Sequence, residues 1–146
     1  MLSAGLGVEV AAGRVYAGQA GATAWPSGTR RVATVRSRIG GNHIRGSVRG
    51  STFRLTLAAV LRGPLELQVA GPRKLGSGSE QRLTTWILTH LEVAVHPFPD
   101  ADRLGDLERS VLSLFDPPMN LEGMPSTPLR TQLSALRRDI AVRVGR

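Results

Sequence analysis

The 146-residue chain contains no cysteine and only one lysine, Lys74. The lack of cysteine excludes disulfides, thiolate metal sites and cysteine nucleophiles. Aromatic residues make up 4% of the chain, and Tyr16 is the single tyrosine. No apolar run approaches the roughly 20 residues that span a bilayer, and no signal-peptide pattern opens the sequence. We therefore predict one globular domain over residues 1–146, with a cytoplasmic location and no membrane partner.

Acidic residues are absent between Glu9 and Glu66. Residues 1–75 hold eleven Lys or Arg against two acids, a net of +9, whereas residues 76–146 hold eight against nine, a net of −1. The planar guanidinium of arginine pairs well with phosphate, and a basic region of one sign is typical of a protein with a polyanion partner. Codon bias could favour arginine over lysine, but it would not remove the acids.

The basic region predicts DNA as the partner, with RNA as the alternative. The candidate nucleic-acid-binding residues are Arg30, Arg31, Arg36, Arg45, Arg49 and Arg54.

Hydrophobic periodicity and turn residues predict a mixed α/β (α+β) domain. Its small antiparallel sheet is expected to include residues 14–17 and 91–95, with a weaker strand candidate at residues 7–10. Helices near residues 34–45, 52–62, 79–90, 101–115 and 127–144 should flank the sheet. Side chains that suit helix caps begin four of them: Thr34, Ser51, Ser79 and Thr127.

Motifs of several common enzyme classes are missing. The loop of residues 18–31 lacks the Gly-Lys-Ser/Thr ending of a P-loop, and the chain has no Gly-x-Ser-x-Gly elbow and no His-x-x-x-His pair. P-loop, serine-hydrolase and zincin chemistry therefore have no support. His90 lies on an apolar helix face, which is typical of a core or interface histidine, and His96 is expected in a loop.

The helix predicted over residues 101–115 carries a carboxylate on its apolar face. Glu108 lies four residues after Leu104 and four before Leu112, so it shares their side of the helix. A carboxylate in that position requires a cation. Pairing with an arginine is the structural interpretation, and binding of a metal ion is the functional one.

Four further residues stand out beside Glu108. Tyr16 ends a strand candidate, Arg38 and His43 belong to one predicted helix, and Asn120 directly follows a Pro-Pro turn that ends another. Each has a structural interpretation: Tyr16 as a sheet residue, Arg38 as a solvated charge and Asn120 as a cap.

In this order and context, these residues resemble the GIY-YIG nuclease superfamily. Residues 15–18 (Val-Tyr-Ala-Gly) are similar to the second half of its signature, and residues 117–120 (Pro-Pro-Met-Asn) are similar to a segment that usually reads Pro-Pro-Leu-Asn. Residues 51–54, and Trp86 with His90, are similar to segments of prokaryotic members. The resemblance covers a core of residues 14–122.

The resemblance implies hydrolysis of DNA phosphodiester bonds with one divalent cation, Mg²⁺ or Mn²⁺. Glu108 would bind the cation, which polarises the scissile phosphate and stabilises the leaving oxygen. Arg38 would neutralise the developing charge. Tyr16 and His43 are the candidates for orienting or deprotonating water, and Asn120 would support the site.

The chain departs from the family pattern in two ways. The first strand of the family carries a Gly-Ile-Tyr tyrosine commonly assigned as the base, and nothing before Tyr16 supplies it. Either the chain begins late or the protein has lost that role. In addition, Arg38 and His43 are five residues apart, about 140° around an ideal helix. Gly40-Gly41 could realign them by bending or bulging the helix, and Asn42 is the alternative occupant of the four-residue position.

Three hypotheses follow from the sequence. The first is a metal-dependent endonuclease of restriction or repair type, active or truncated. The second is a non-catalytic module that binds nucleic acid through the arginines of residues 30–62. The third is a small domain with no nucleic-acid function. The oligomeric state and the recognition site stay open.

Overall fold

The computed structural model describes residues 1–7, 9, 13–22 and 34–142. It confirms the predicted α+β class, because helices surround a small two-stranded antiparallel sheet. The helices are α1 (Leu2–Leu6), a π-helix (Ser37–Ile44), α2 (Thr52–Leu61), α3 (Ser77–His90), α4 (Leu104–Phe115) and α5 (Pro128–Val142). The strands are β1 (Val69–Gly71) and β2 (Lys74–Leu75). None of the helices in these ranges is long and apolar enough to cross a membrane.

Helix α2 forms the centre of the core. Ser51 caps it as predicted, since the Ser51 hydroxyl accepts a hydrogen bond from the Arg54 backbone N–H. Every residue from 53 to 61 is buried, because α1, α5 and the π-helix all pack against this helix. Truncating a fully buried leucine here, such as Leu57, should cost about 2–5 kcal/mol.

The helix predicted over residues 34–45 is mostly a π-helix. Thr34 opens this segment as predicted: its hydroxyl accepts from the Ser37 backbone N–H, and its own N–H donates to the Ser37 hydroxyl. At the other end, the Arg45 N–H reaches the Gly40 carbonyl, five residues back, at 3.1 Å. A Cβ atom at Gly40 or Gly41 would meet nothing within 4 Å. Neither glycine has a positive φ, so neither close packing nor a left-handed backbone requires glycine at these two positions.

The strands predicted at residues 14–17 and 91–95 are wrong. Residues 14–17 are not in a sheet and instead pair with a loop, where the Met119 N–H donates to the Val15 carbonyl. Residues 92–95 are exposed and also belong to no strand. The sheet forms instead between residues 69 and 75, outside every predicted strand. The candidate strand at residues 7–10 lies mainly outside the described residues.

Helix α3 begins at Ser77, two residues before the predicted cap. The Ser79 hydroxyl is buried and accepts a hydrogen bond from the Gln68 N–H at 2.8 Å, so Ser79 joins the helix to the β1 side of the hairpin instead of capping it. His90 is exposed, so it is not a core histidine, and its position at an interface stays a prediction. Its ring stacks on Trp86. His96 lies outside helices and strands, as predicted.

Helix α4 differs most from the expected packing. Its apolar face was predicted to point into the core, but no residue of the helix is buried against the described part of the chain. Leu114 is 75% exposed. The Arg14 guanidinium lies over the Phe115 ring, 3.8 Å from the ring centre. Helix α5 starts as predicted, with the Thr127 hydroxyl accepting from the Arg130 N–H.

Candidate active site

Residues 15–19 lie against the loop that follows α4. The Asn120 side chain accepts a hydrogen bond from the Ala17 N–H at 2.9 Å and donates to the Ala17 carbonyl at 2.8 Å. Asn120 is nearly buried, at 9% exposure. Its backbone carbonyl accepts a hydrogen bond from Arg130 Nε at 2.9 Å. This carboxamide therefore fixes the backbone directly beside Tyr16 instead of capping a helix, and the supporting role implied for Asn120 in the site stays a prediction.

The Tyr16 ring packs in a group of three rings. Its centroid lies 4.7 Å from the Phe53 ring and 5.8 Å from the His43 imidazole, which it meets edge to face. The His43 and Phe53 rings are 5.6 Å apart. Phe53 comes from the buried α2, so the core of the protein sets the position of the tyrosine and the histidine.

The π-helix resolves the five-residue spacing between Arg38 and His43. A π-helix closes its hydrogen bonds five residues apart, so residues 38 and 43 share one face. The charge of Arg38 acts on His43, and Arg38 also hydrogen-bonds the Tyr16 hydroxyl. Asn42, the alternative occupant, is exposed. The Gly40-Gly41 distortion expected from the sequence thus brings the arginine and the histidine together.

Burial and charge shift the pKa values of this group. Burial raises the pKa of Tyr16, and the nearby Arg38 opposes that shift. Burial also lowers the pKa of His43 to about 4, with the positive charge of Arg38 as the second cause. The imidazole of His43 is therefore neutral at physiological pH.

Glu108 lies near the same group, since its charge acts on Tyr16 and the charge of Arg38 acts on Glu108. The Gln19 backbone N–H donates to its carboxylate, and burial raises its pKa despite the attraction of Arg38. The negative charge of Glu122 acts on both Glu108 and Tyr16. Tyr16, Arg38, His43 and Glu108, called the candidate site below, are thus brought together although they are far apart in sequence.

Arg54 is not available to nucleic acid, which corrects its place among the candidate binding residues. Its side chain is fully buried and forms an ion pair of 2.7 Å with Glu80. The same guanidinium donates to the backbone carbonyls of His43, Ile44 and Glu80. Arg54 therefore anchors the end of the π-helix from inside the protein.

The other predicted binding arginines fall into two groups. Arg36, Arg45 and Arg49 are exposed, and the first two line a shallow cavity of about 330 Å³ along the π-helix. Arg30 and Arg31 lie outside the described residues. The exposed group leaves three guanidinium charges open to a polyanion.

Sequence reasoning missed several residues near the candidate site. Gln19 contributes only a backbone N–H, which no side-chain pattern reveals. The charge of Glu122 acts on both Tyr16 and Arg137. Burial lowers the pKa of Arg137, and the positive charge of Arg73 lowers it further. Glu122 follows Asn120 by two residues, which is the one signal that could have suggested it.

Glu108 is the carboxylate of the candidate site that could bind a metal ion. Within the described ranges, no group of three or more His, Asp or Glu side chains could hold a metal ion. Mg²⁺ does not require such a cage, because it keeps several waters and is commonly bound by one or two carboxylates together with substrate phosphates. A half-buried Glu108 carboxylate beside the Glu122 charge fits that mode of binding.

An arginine beside a tyrosine and a carboxylate supplies groups that could bind a phosphate ester and stabilise developing charge. A family model described as the GIY-YIG catalytic domain matches residues 11–139, and the chain belongs to this family. The family supports nuclease-type hydrolysis of DNA and therefore a nucleic-acid substrate, and its nucleases generally depend on a divalent metal. Comparisons with curated proteins and with solved structures find no match.

Proposed function

We propose that this protein is a divalent-metal-dependent DNA endonuclease of restriction or repair type. The observation that carries this proposal is the contact of Arg38 with Tyr16 beside the Glu108 carboxylate. Three residues from distant parts of the chain, with the chemistry needed at a scissile phosphate, meet in one place.

Arg38 is the proposed phosphate clamp. Its side chain is only partly buried, and no carboxylate in the described ranges forms an ion pair with it. A guanidinium without a carboxylate partner can bind a phosphate oxygen and stabilise the charge that develops during hydrolysis.

Tyr16 and His43 are the proposed residues for orienting or deprotonating the attacking water. Phe53 packs against both rings, and Asn120 fixes the backbone next to Tyr16. The hydrogen bond between Arg38 and Tyr16 places the guanidinium beside the tyrosine oxygen. A water molecule held between this oxygen and a bound phosphate would be placed for attack.

Glu108 is the proposed ligand for Mg²⁺ or Mn²⁺, with the nearby Glu122 adding negative charge. When bound, such a cation would polarise the phosphate and stabilise the leaving oxygen. The Gln19 N–H would keep the Glu108 carboxylate oriented. Burial raises the pKa of Glu108 because it disfavours the charged carboxylate. A bound cation would stabilise that charged form.

A non-catalytic DNA-binding module is the second candidate. The observation in its favour is that Tyr16 is the single tyrosine of the chain, so the Gly-Ile-Tyr tyrosine of the family has no counterpart here. Arg36, Arg45 and Arg49 would still bind the DNA backbone in such a module.

Plasmid cleavage with Mg²⁺ or Mn²⁺ tests the proposal. Wild type should nick or linearise the plasmid, while Glu108→Ala and Arg38→Ala should lose roughly 100-fold or more. Glu92→Ala and Arg138→Ala change exposed residues of the same types and should retain activity. Activity that is insensitive to both site substitutions would refute the endonuclease proposal. Tight DNA binding without cleavage under either cation would favour the binding module.

A further inference from the structure

We propose that Ser51 is a positioning residue that holds His43 as the neutral tautomer protonated at Nε2. In this form His43 would donate a hydrogen bond to the phosphate or to the attacking water, and it would not accept the proton of that water. The catalytic part of this inference rests on the proposed nuclease function, whereas the tautomer does not.

The hydrogen bonds of Ser51 lead to the tautomer. Its hydroxyl, buried at 2% exposure, accepts from the Arg54 backbone N–H at 3.1 Å and lies 2.8 Å from His43 Nδ1. The hydroxyl proton needs an acceptor of its own, and His43 Nδ1 is the acceptor it contacts within the described part of the chain. Protonation at Nδ1 would leave a buried hydroxyl proton without a partner, which is costly. The Ser51 hydroxyl therefore donates to Nδ1, and the ring proton lies on Nε2.

The surroundings of His43 support a neutral ring. Burial and the positive charge of Arg38 disfavour the doubly protonated imidazolium. Arg38 donates a hydrogen bond to the Tyr16 hydroxyl, and the adjacent Phe53 adds no charge. The choice is thus between the two neutral tautomers, and the Ser51 contact decides it.

The backbone of His43 is held independently of its ring. The buried guanidinium of Arg54 donates to the carbonyls of His43 and Ile44 and is itself fixed by the Glu80 carboxylate. The other oxygen of that carboxylate accepts from the Val48 N–H at 3.0 Å. Loss of the Ser51 hydroxyl should therefore change the proton position on His43 while leaving its backbone in place.

This assignment separates the roles of the two water-activating candidates. An Nε2–H tautomer whose Nδ1 is occupied by Ser51 has no free lone pair for the proton of a water molecule. His43 then acts as a neutral donor to negative charge that develops at the phosphate. Tyr16, whose hydroxyl keeps its own proton because burial raises its pKa, is left as the residue of the pair that orients the water through its oxygen.

The tautomer can be read directly by ¹⁵N NMR of the imidazole rings at pH 8, with signals assigned from His→Gln variants. His90 provides an internal contrast, because its Nδ1 lies 2.9 Å from the Trp86 carbonyl, which only accepts and so requires an Nδ1–H ring. We expect the unprotonated-nitrogen shift at Nδ1 for His43 and at Nε2 for His90. An unprotonated Nε2 at His43 would overturn the proposal.

Substitutions test the donor role through activity. A glutamine side chain can donate a hydrogen bond but is not a base, so His43→Gln should keep activity within about tenfold of wild type while His43→Ala loses roughly 100- to 1,000-fold. Equal loss in both variants would show that His43 works as a base and would overturn the donor role. Ser51→Thr retains the hydroxyl and should preserve the His43 shifts, whereas Ser51→Ala should collapse the preference for one tautomer.

Failure of this inference can be told from failure of the proposed function. The NMR measurement on wild-type protein needs no substrate and no metal, and it decides the tautomer even if Ser51→Ala does not fold. A protein that cleaves no DNA but shows the expected His43 shifts would refute the nuclease proposal and support the positioning role of Ser51. Cleavage by a protein whose His43 is protonated at Nδ1 would support the nuclease proposal and refute the positioning role of Ser51.

Discussion

The Asn120 carboxamide and the Ala17 backbone, 103 residues apart in sequence, form two hydrogen bonds with each other. The side chain satisfies both the N–H and the carbonyl of Ala17, as a neighbouring strand would. Tyr16 is thereby fixed to the loop after α4 instead of to a sheet.

Asn120→Ala should therefore destabilise the protein by about 2–3 kcal/mol, because it leaves two polar backbone groups without partners near the core. Asn42→Ala, at an exposed position of the same residue type, should change stability by less than about 0.5 kcal/mol. Urea unfolding measures both. Equal midpoints for the two variants would show that the Asn120 contact contributes nothing to folding.

Arg54 should be a stability residue rather than a DNA contact. Arg54→Ala removes one partner of a buried ion pair and frees the carbonyls of residues 43 and 44, so we expect a loss of about 3–5 kcal/mol in the free energy of unfolding. Arg49→Ala is the exposed control and should leave stability within about 0.5 kcal/mol of wild type. A stable Arg54→Ala variant that binds DNA weakly would contradict the assignment.

DNA binding should weaken steeply with salt, because exposed guanidinium groups release counterions from the phosphates. Removal of Arg36, Arg45 or Arg49 should each reduce the slope of log K against log salt by about one, with little effect on sequence preference. Fluorescence anisotropy at several salt concentrations gives these slopes. A slope unchanged in all three variants would place the DNA on another surface.

Glu108→Gln should stabilise the metal-free protein at pH 7, since burial disfavours the charged carboxylate and the amide carries no charge. The exposed Glu92→Gln control should be neutral. Addition of Mg²⁺ or Mn²⁺ should raise the melting temperature of wild type but not of Glu108→Gln. The same cation-induced shift in both proteins would exclude Glu108 as the ligand.

The low pKa of His43 makes stability depend on pH. Because the folded-state pKa of about 4 lies below the ordinary value of 6.5, the unfolded chain takes up the proton first as the pH falls. The stabilising contribution is complete above about pH 6.5, is lost between pH 6.5 and 4, and changes little below pH 4.

The expected loss across that window is about 1–2 kcal/mol, reduced from the full shift because solvent screens a half-buried ring. Urea midpoints of wild type and His43→Gln at pH 7.5, 5.5 and 4 would measure it as the difference between the two proteins. A constant difference at all three pH values would contradict the lowered pKa.

Local patterns in the sequence were sufficient for most of the helices. Ser51 and Thr127 cap α2 and α5 as predicted, because an N-cap depends on side-chain chemistry within three residues. The Gly40-Gly41 pair also signalled a distortion of the first long helix. The position and direction of Glu108 relative to the arginines could not be read in this way, since they depend on how α4 meets the rest of the chain.

The sheet was beyond prediction from local pattern. Residues 91–95 alternate as a strand should, yet a strand also needs a partner with free backbone groups, and none of the described residues supplies one. The hairpin at residues 69–75 formed instead because Arg73 adopts a left-handed turn and its N–H bonds the Ile140 carbonyl of α5.

The sequence by itself determined the α+β class, the arginine-rich region without acids and the residue types of the candidate site. Only the tertiary structure decided which arginines are free: Arg54 is ion-paired with Glu80 inside the core, whereas no carboxylate of the described residues forms an ion pair with Arg38. The physical reason is that charge and hydrogen-bonding capacity belong to a side chain, while desolvation and partners belong to its place in the fold.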